Sequence, residues 1–231
     1  LKSLITPRTK ALIINTPSNP TGSCLSADTL GEIAKIAEEE DLIVIADDIY
    51  TSYSFEKDFI PFMSMPGMRE RTITINSFSK NFIMTGWRVG NIIAPAFIVR
   101  VLKDMGENIV YSAPAPSQRA AIYALRNRKV IQPPIIAEYR KRMEYAAERI
   151  NRIPWMSVIT PPKGSFYLFI NIKKSGLSSL DAADMILEKA HVLLLPGNAF
   201  GRCGEGYLRL ACTVGVDKLE EAFDRIEKIE L

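Results

Sequence analysis

The sequence predicts an α/β protein, a mostly parallel sheet with helices followed by a smaller α+β part. Three observations carry this. Short, continuously apolar runs alternate with stretches of helical spacing through the first half. Each of these runs adjoins a polar cluster, and parallel α/β sheets place ligands beyond the carboxyl ends of their strands. After Pro95 the pattern turns helical before short strands return.

The run ALIIN at 11–15 ends in a Pro/Asn/Gly cluster and reads as a buried strand leading into a loop. Ser26 precedes ADTLGEIAKIAEEE, where Leu30, Ile33, Ala34 and Ala37 recur at helical spacing, so Ser26 is the expected N-cap. LIVIA at 42–46 is apolar throughout, as in a strand covered on both faces. RTITIN at 71–76 alternates, and VGNIIA at 89–94 is a fourth strand. SQRAAIYALRN, opened by Pro114 and Pro116, reads as a helix, with a break or kink at Pro133 and Pro134. The next helix, about 135–152, carries Ile136, Tyr139, Met143, Ala147 and Ile150 on one face. Its run EYRKRMEYAAER mixes signs and holds an i,i+4 pair, Glu138 and Arg142, so it reads as a solvated face rather than a nucleic-acid surface. SFYLFIN, a helix near 179–190, VLLLP opened by His191, GYLRLA and a helix at 216–230 complete a compact α+β unit. The boundary falls within 127–134, giving parts 1–130 and 131–231.

A chain of 231 residues suits one large domain or two small ones. With 47% hydrophobic and 24% charged residues it is ordinary for a soluble globular enzyme and unlike a disordered chain. A net charge of +3 is too small and too spread out to argue for nucleic acid or membrane as partner. No apolar run is long enough to cross a bilayer, and no secretory signal opens the chain. Cys24, Cys203 and Cys212 are scattered without metal-ligand spacing and are expected to be reduced thiols in a cytoplasmic protein. A single histidine, His191, argues against histidine catalysis and against a metal site. The chain begins at Leu1 and runs directly into LITPRTKALIINTPSNPTG, which reads like the middle of a longer protein.

Four polar clusters fall beside the first four strands: NTPSNPTG after the first, DDIY after the second, SFSK after the third, and Arg88 before the fourth. If the strands are parallel neighbours, these clusters converge. The inventory is Asn19, Asp47, Tyr50, Ser77, Ser79, Lys80 and Arg88. It lacks a glycine-rich dinucleotide fingerprint, a Walker lysine loop and a histidine to partner a serine. What remains is a reactive amine, an acid, a phenol and an anion-binding Ser/Arg set. An aldehyde cofactor with a ring nitrogen and a phosphate would use them all: lysine forms a Schiff base, an acid pairs the pyridinium, and serine and arginine hold the phosphate.

NTPSNPTG, ADDIY, SFSKNFIMTGWRVG, PKGSFYLF and PGNAFGRCGEGYLRLA, in that order over the whole chain, resemble the class I/II aminotransferases. These are pyridoxal phosphate enzymes of fold type I, the aspartate aminotransferase superfamily. The resemblance implies that Lys80 bonds the cofactor aldehyde and later moves a proton, and that Asp47 keeps the pyridine nitrogen protonated. It implies that Tyr50 and Asn19 hydrogen-bond the ring oxygen, that Ser77, Ser79 and Arg88 hold the phosphate, and that Arg209 grips the substrate carboxylate, with Asn19 beside it. Asn19–Pro20 matches a peptide that is often cis in the family. Asp47 and Asp48 must point to different sides of a strand; the family pattern selects Asp47 and leaves Asp48 as a structural or exposed acid. Tyr53, Phe62 and Met63 are candidates for pocket lining or for core.

The resemblance further implies a cytoplasmic homodimer that moves an amino group between an L-amino acid and a 2-oxo acid. Residues 1–130 would be the partial cofactor-binding large domain and 131–231 the small domain. Family members carry a long segment before the NPTG block, so the chain is expected to be the C-terminal portion of a longer aminotransferase. On its own we expect weak cofactor binding, an exposed sheet edge and little catalysis. The same constellation also serves β-lyases and other fold type I enzymes, and an aminotransferase-like regulatory domain or a catalytically silent fragment are further readings.

Overall fold

A computed structural model describes residues 1–231. The chain forms two compact units, Leu1–Pro17 with Cys24–Pro133, and Ser18–Ser23 with Pro134–Leu231. No helix is long and apolar enough to cross a membrane.

The first unit is built on a sheet of β1 (Ala11–Asn15), β2 (Ile43–Asp47), β3 (Thr72–Ser77) and β4 (Gly90–Ile93), in that spatial order. Helix α1 (Ala27–Glu39) makes the crossover from β1 to the parallel β2. Ser26 caps it, its Oγ accepting the Thr29 N–H at 3.2 Å. The helical repeat buries Leu30, Ala34 and Ala37 against Val44 and Ala46 of β2, with Phe62 and Met68 completing the cluster. Pairing of Asn15 with Asp47, and of Asp47 with Ile75 in the parallel β3, brings the carboxyl ends of three strands level.

Strand β4 is antiparallel to β3, with Ser77 opposite Gly90. The expectation of parallel neighbours therefore holds for three strands and fails for the fourth. That reversal is what returns Arg88, just before β4, to the end of the sheet where β3 finishes. A Cβ on Gly90 would stand 2.7 Å from the Asn76 carbonyl oxygen, so only glycine lets the two backbones approach this closely. A single helical turn, α2 (Phe78–Asn81), follows β3, and Phe78, Met84 and Val89 pack against Ala121 and Ala124 of α4 (Ala115–Arg126). Helix α3 (Ala96–Ile109) lies between β4 and α4 in the chain and buries none of its residues.

Helix α5 (Arg128–Arg152) runs without interruption through Pro133 and Pro134, correcting the expected break there. The prolines fall in its second turn, where the fixed φ suits a helix and two N–H donors are lost near a terminus rather than mid-helix. Asn127 starts the ladder instead, its carbonyl accepting the Val130 and Ile131 N–H groups at 2.9 and 3.0 Å.

The second unit holds an antiparallel sheet in the order β5 (Tyr167–Asn171), β7 (Tyr207–Ala211), β6 (Leu195–Pro196). Helix α6 (Ser179–Ala190), capped by Ser178, packs with α7 (Val216–Ile226). His191 does not open a strand: it ends α6 in the left-handed region at φ 54°, and only Leu195–Pro196 of the expected VLLLP strand pairs. The chain uses the intervening residues to leave the helix and bury Leu194.

The charge-rich face of α5 is not simply solvated. Arg142 pairs with Glu138 at 2.8 Å as expected, yet its guanidinium also lies over Tyr139 and donates to the Thr213 carbonyl. Arg149 is buried. It donates to Glu227 at 2.8 Å, Asp224 at 2.7 Å and the Tyr145 hydroxyl at 2.7 Å, and lies over the Phe223 ring. These contacts, Glu227 first, hold its pKa above the ordinary arginine value. They clamp α5 to α7. Gly22 of the hexapeptide Ser18–Ser23 has φ 69°, and a Cβ there would stand 2.7 Å from the Tyr167 carbonyl oxygen, which accounts for the glycine of NPTG.

Candidate active site

In the first unit the site is assembled at the carboxyl ends of β2 and β3. Asp47 closes β2, where the Asn15 side-chain amide donates to its backbone carbonyl at 3.0 Å. Asp47 Oδ1 is buried and has no hydrogen-bond partner. Burial raises the Asp47 pKa, opposed by the Ile49 N–H. Strand alternation sends the next acid the other way, so Asp48 follows Val44 and Ala46 onto the buried face. Asp48 is 3% exposed and its pKa is pushed up to about 7, by burial first and the Asp47 charge second. It is thus a buried acid, which removes the exposed alternative for it.

Tyr50 is buried and opens a tight turn, Thr51–Tyr53, that is stitched to the lysine turn. The buried Tyr53 hydroxyl donates to the Lys80 carbonyl at 2.8 Å. Asn81 accepts the Ser52 N–H at 3.1 Å and donates to Thr51 Oγ1 at 2.9 Å. Gln132 donates to Ser52 Oγ at 2.9 Å. Lys80 therefore sits on one short turn whose backbone is held by tertiary hydrogen bonds. Phe62 is core, and Met63 is half-buried.

Ser77 caps the same turn, its Oγ accepting the Ser79 N–H at 3.1 Å. Arg88 has φ 51°, is exposed, and donates from Nη1 to the Thr85 carbonyl at 2.7 Å. Asp47 and Ser77 thus end β2 and β3, Tyr50 follows β2, Ser79 and Lys80 lie in α2, and Arg88 precedes β4, all in the first unit.

Asn19 and Arg209 pair within the second unit, Arg209 Nη1 donating to Asn19 Oδ1 at 2.8 Å. The Asn19–Pro20 peptide is cis, as is Thr16–Pro17. The Arg209 guanidinium lies over the rings of Tyr167, at 4.5 Å, and Phe200, at 4.7 Å. Its Nε is buried without a partner. Asn19 thus holds one nitrogen of a guanidinium that two aromatic rings also contact.

Sequence reasoning missed Asn81, Gln132 and Phe200. Asn81 could have been found from its place directly after Lys80, and Phe200 from its place between the glycines of PGNAFG. Gln132 carries no local signal; tertiary packing alone brings it to Ser52.

The model of the family "Aminotransferase class I and II" matches residues 1–226. The chain is 42% identical to aromatic-amino-acid aminotransferase 2 of Thermococcus litoralis, covering 99% of this chain and 59% of that protein. It is 43% identical to the aspartate aminotransferase of Pyrococcus abyssi over the same shares. The solved structure of an aromatic aminotransferase from Pyrococcus horikoshii superposes with a TM-score of 0.93 at 39% identity, covering 98% of this chain and 61% of that one. The architecture is that of the fold type I aminotransferases. The chain belongs to the class I and II aminotransferase family, whose members use pyridoxal phosphate. It spans about 59% of the length of these curated relatives.

Proposed function

We propose that this chain carries the catalytic lysine and the carboxylate-binding arginine of a pyridoxal phosphate-dependent aminotransferase acting between an L-amino acid and a 2-oxo acid. The observation that carries this reading is Asp47: a half-buried carboxyl at a strand end, with one buried oxygen unpartnered and its pKa raised by burial. Such a group calls for a cationic N–H, and the pyridinium nitrogen of the cofactor is one. The donor set fits the rest of that molecule. Ser77, Ser79 and Arg88 offer hydroxyl and guanidinium donors for a phosphate, Tyr50 and Asn19 suit the ring oxygen, and Lys80 supplies the amine.

When bound, the cofactor supplies an electron sink for charge developing at the substrate α-carbon. The chain's own residues do the remainder. Asp47 holds the proton on the ring nitrogen. Lys80 Nζ is the base that would take the proton from the substrate α-carbon. Arg209 and Asn19 would hold the substrate α-carboxylate. The shared turn of Ser77, Ser79 and Lys80 means that gripping the phosphate also aims the lysine. Residues 1–130 act here as the cofactor-binding part and 131–231 as the small domain. The reading extends to a cytoplasmic homodimer, on three cysteines that form no disulfide and on the family resemblance.

The test is to mix the chain with pyridoxal phosphate, reduce with borohydride, and map the modified peptide by mass spectrometry. A single label on Lys80, lost in Lys80→Ala, is the expected outcome. Scattered labelling that Lys80→Ala leaves unchanged would sink the assignment.

A further inference from the structure

The Phe200 ring over Arg209 is carried by a loop built to hold it. Gly197 and Gly204 lie back to back at the loop's base, where a Cβ on either would collide with the other's carbonyl oxygen. Glu205 latches that base: it accepts the Ser179 N–H at 2.7 Å and the Asn198 side-chain amide at 2.8 Å. These bonds, the Ser179 N–H first, hold the Glu205 pKa below the ordinary carboxylate value. On its other side Phe200 meets Phe169 edge-on at 6.4 Å, and Phe169 stacks on Tyr207 at 4.9 Å with the rings 3° from parallel. A ring still 38% exposed is therefore fixed over a charge by both its loop and the sheet.

We propose that Phe200 is a positioning and selectivity residue for the substrate carboxylate, keeping the Arg209 guanidinium dry and aimed so that it takes a planar carboxylate in preference to a tetrahedral oxyanion. This rests on reading Arg209 as the carboxylate-binding residue. Rings against a guanidinium leave its in-plane N–H edge as the place for an anion, and a carboxylate matches that edge in one plane. A phosphonate carries a third oxygen out of the plane and towards the rings. The buried, unpartnered Nε lies on the guanidinium that the two rings contact, so its N–H reports on how well they shield the group from water. Tyr167, on β5, supplies the other ring.

The experiment uses the full 231-residue chain, labelled with ¹⁵N-arginine, titrated with propionate and with ethylphosphonate by calorimetry and through the Arg209 Nε–H resonance. The expected result has three parts. Arg209→Ala loses propionate binding. Phe200→Ala weakens propionate about 10-fold, narrows its preference over ethylphosphonate and speeds solvent exchange of the Nε proton. Phe200→Tyr retains both affinity and preference. If Arg209→Ala abolishes binding while Phe200→Ala matches the parent chain for both ligands, the proposal for Phe200 is overturned and the role of Arg209 stands. If the parent chain shows no propionate binding, or Arg209→Ala leaves it intact, the carboxylate reading itself fails and the proposal with it. Phe200 is partly exposed on a loop, so circular dichroism of the variant is expected to match the parent and any change in affinity is local.

Discussion

The two units handle apolar surface in opposite ways. In the second, the paired strands β5 and β7 bury Leu168, Ile170, Leu208 and Leu210, and α5, α6 and α7 add Met143, Ile150, Ile186, Leu219 and Phe223. In the first, the cluster around α1 and β2 is equally closed, but β4 leaves all four residues exposed and α3 buries none of its 14. Phe97, Val101, Met105 and Ile109 along α3 are each more than half exposed. One unit thus has a core that accounts for its helices, while the other carries a sheet edge and a helix whose apolar residues this chain does not cover. Element formation and burial are separable: α3 has the sequence of a packed amphipathic helix without the packing.

The sharpest test of this contrast is the Arg149 clamp. Asp224→Asn with Glu227→Gln leaves a buried guanidinium without its partly exposed counter-charges, and we expect a loss of about 1–3 kcal/mol in urea denaturation. Amide exchange should rise throughout α5 and α7, while β4 and α3 exchange readily before and after. Protection of β4 equal to that of β7 in the parent chain would break the comparison. Next comes Asp48. Its folded pKa of about 7 lies above the ordinary 3.8, so between these values the folded state binds the extra proton. Stability of the first unit therefore falls as pH rises through that window, by an amount approaching roughly 1.4 kcal/mol per pH unit. Burial of Asp47 acts in the same direction. Asp48→Asn should flatten this slope and raise stability above pH 7; an unchanged slope would show that Asp48 is not the group responsible. The smallest expected effects are at the helix caps. Ser26→Ala and Ser178→Ala each remove a cap bond, at 3.2 and 3.1 Å, and should cost about 1 kcal/mol each. If the units unfold separately, thermal melts followed by exchange will show the first loss around α1 and the second around α6.

Where a signal was local and repeated, the sequence located the element. The helical repeat after Ser26, the apolar runs at β1 and β2, and helices 179–190 and 216–226 all stand close to where periodicity put them. Pro133 and Pro134 misled because proline's cost depends on its position in a helix, and that position was set by Asn127, several residues earlier. The charges of α5 misled for another reason. Arg149 reads like its solvated neighbours until α7 brings Asp224 and Glu227 to it from 75 and 78 residues away.

The same division runs through the site. Residue identity and order along the chain determined by themselves the family, the candidate lysine, the paired acids, the serines and the two arginines, because chemistry restricts which side chains occur at those spacings. Tertiary structure alone decided that β4 runs antiparallel and so returns Arg88 to the end of β3. It alone joined Tyr53, Asn81 and Gln132 into the net around the lysine turn, buried Asp48, and set Asn19 and Phe200 against Arg209. Each of those depends on residues far apart in sequence meeting at hydrogen-bond or van der Waals distance. A local pattern records what a residue can do; only the folded chain fixes which partner it does it with.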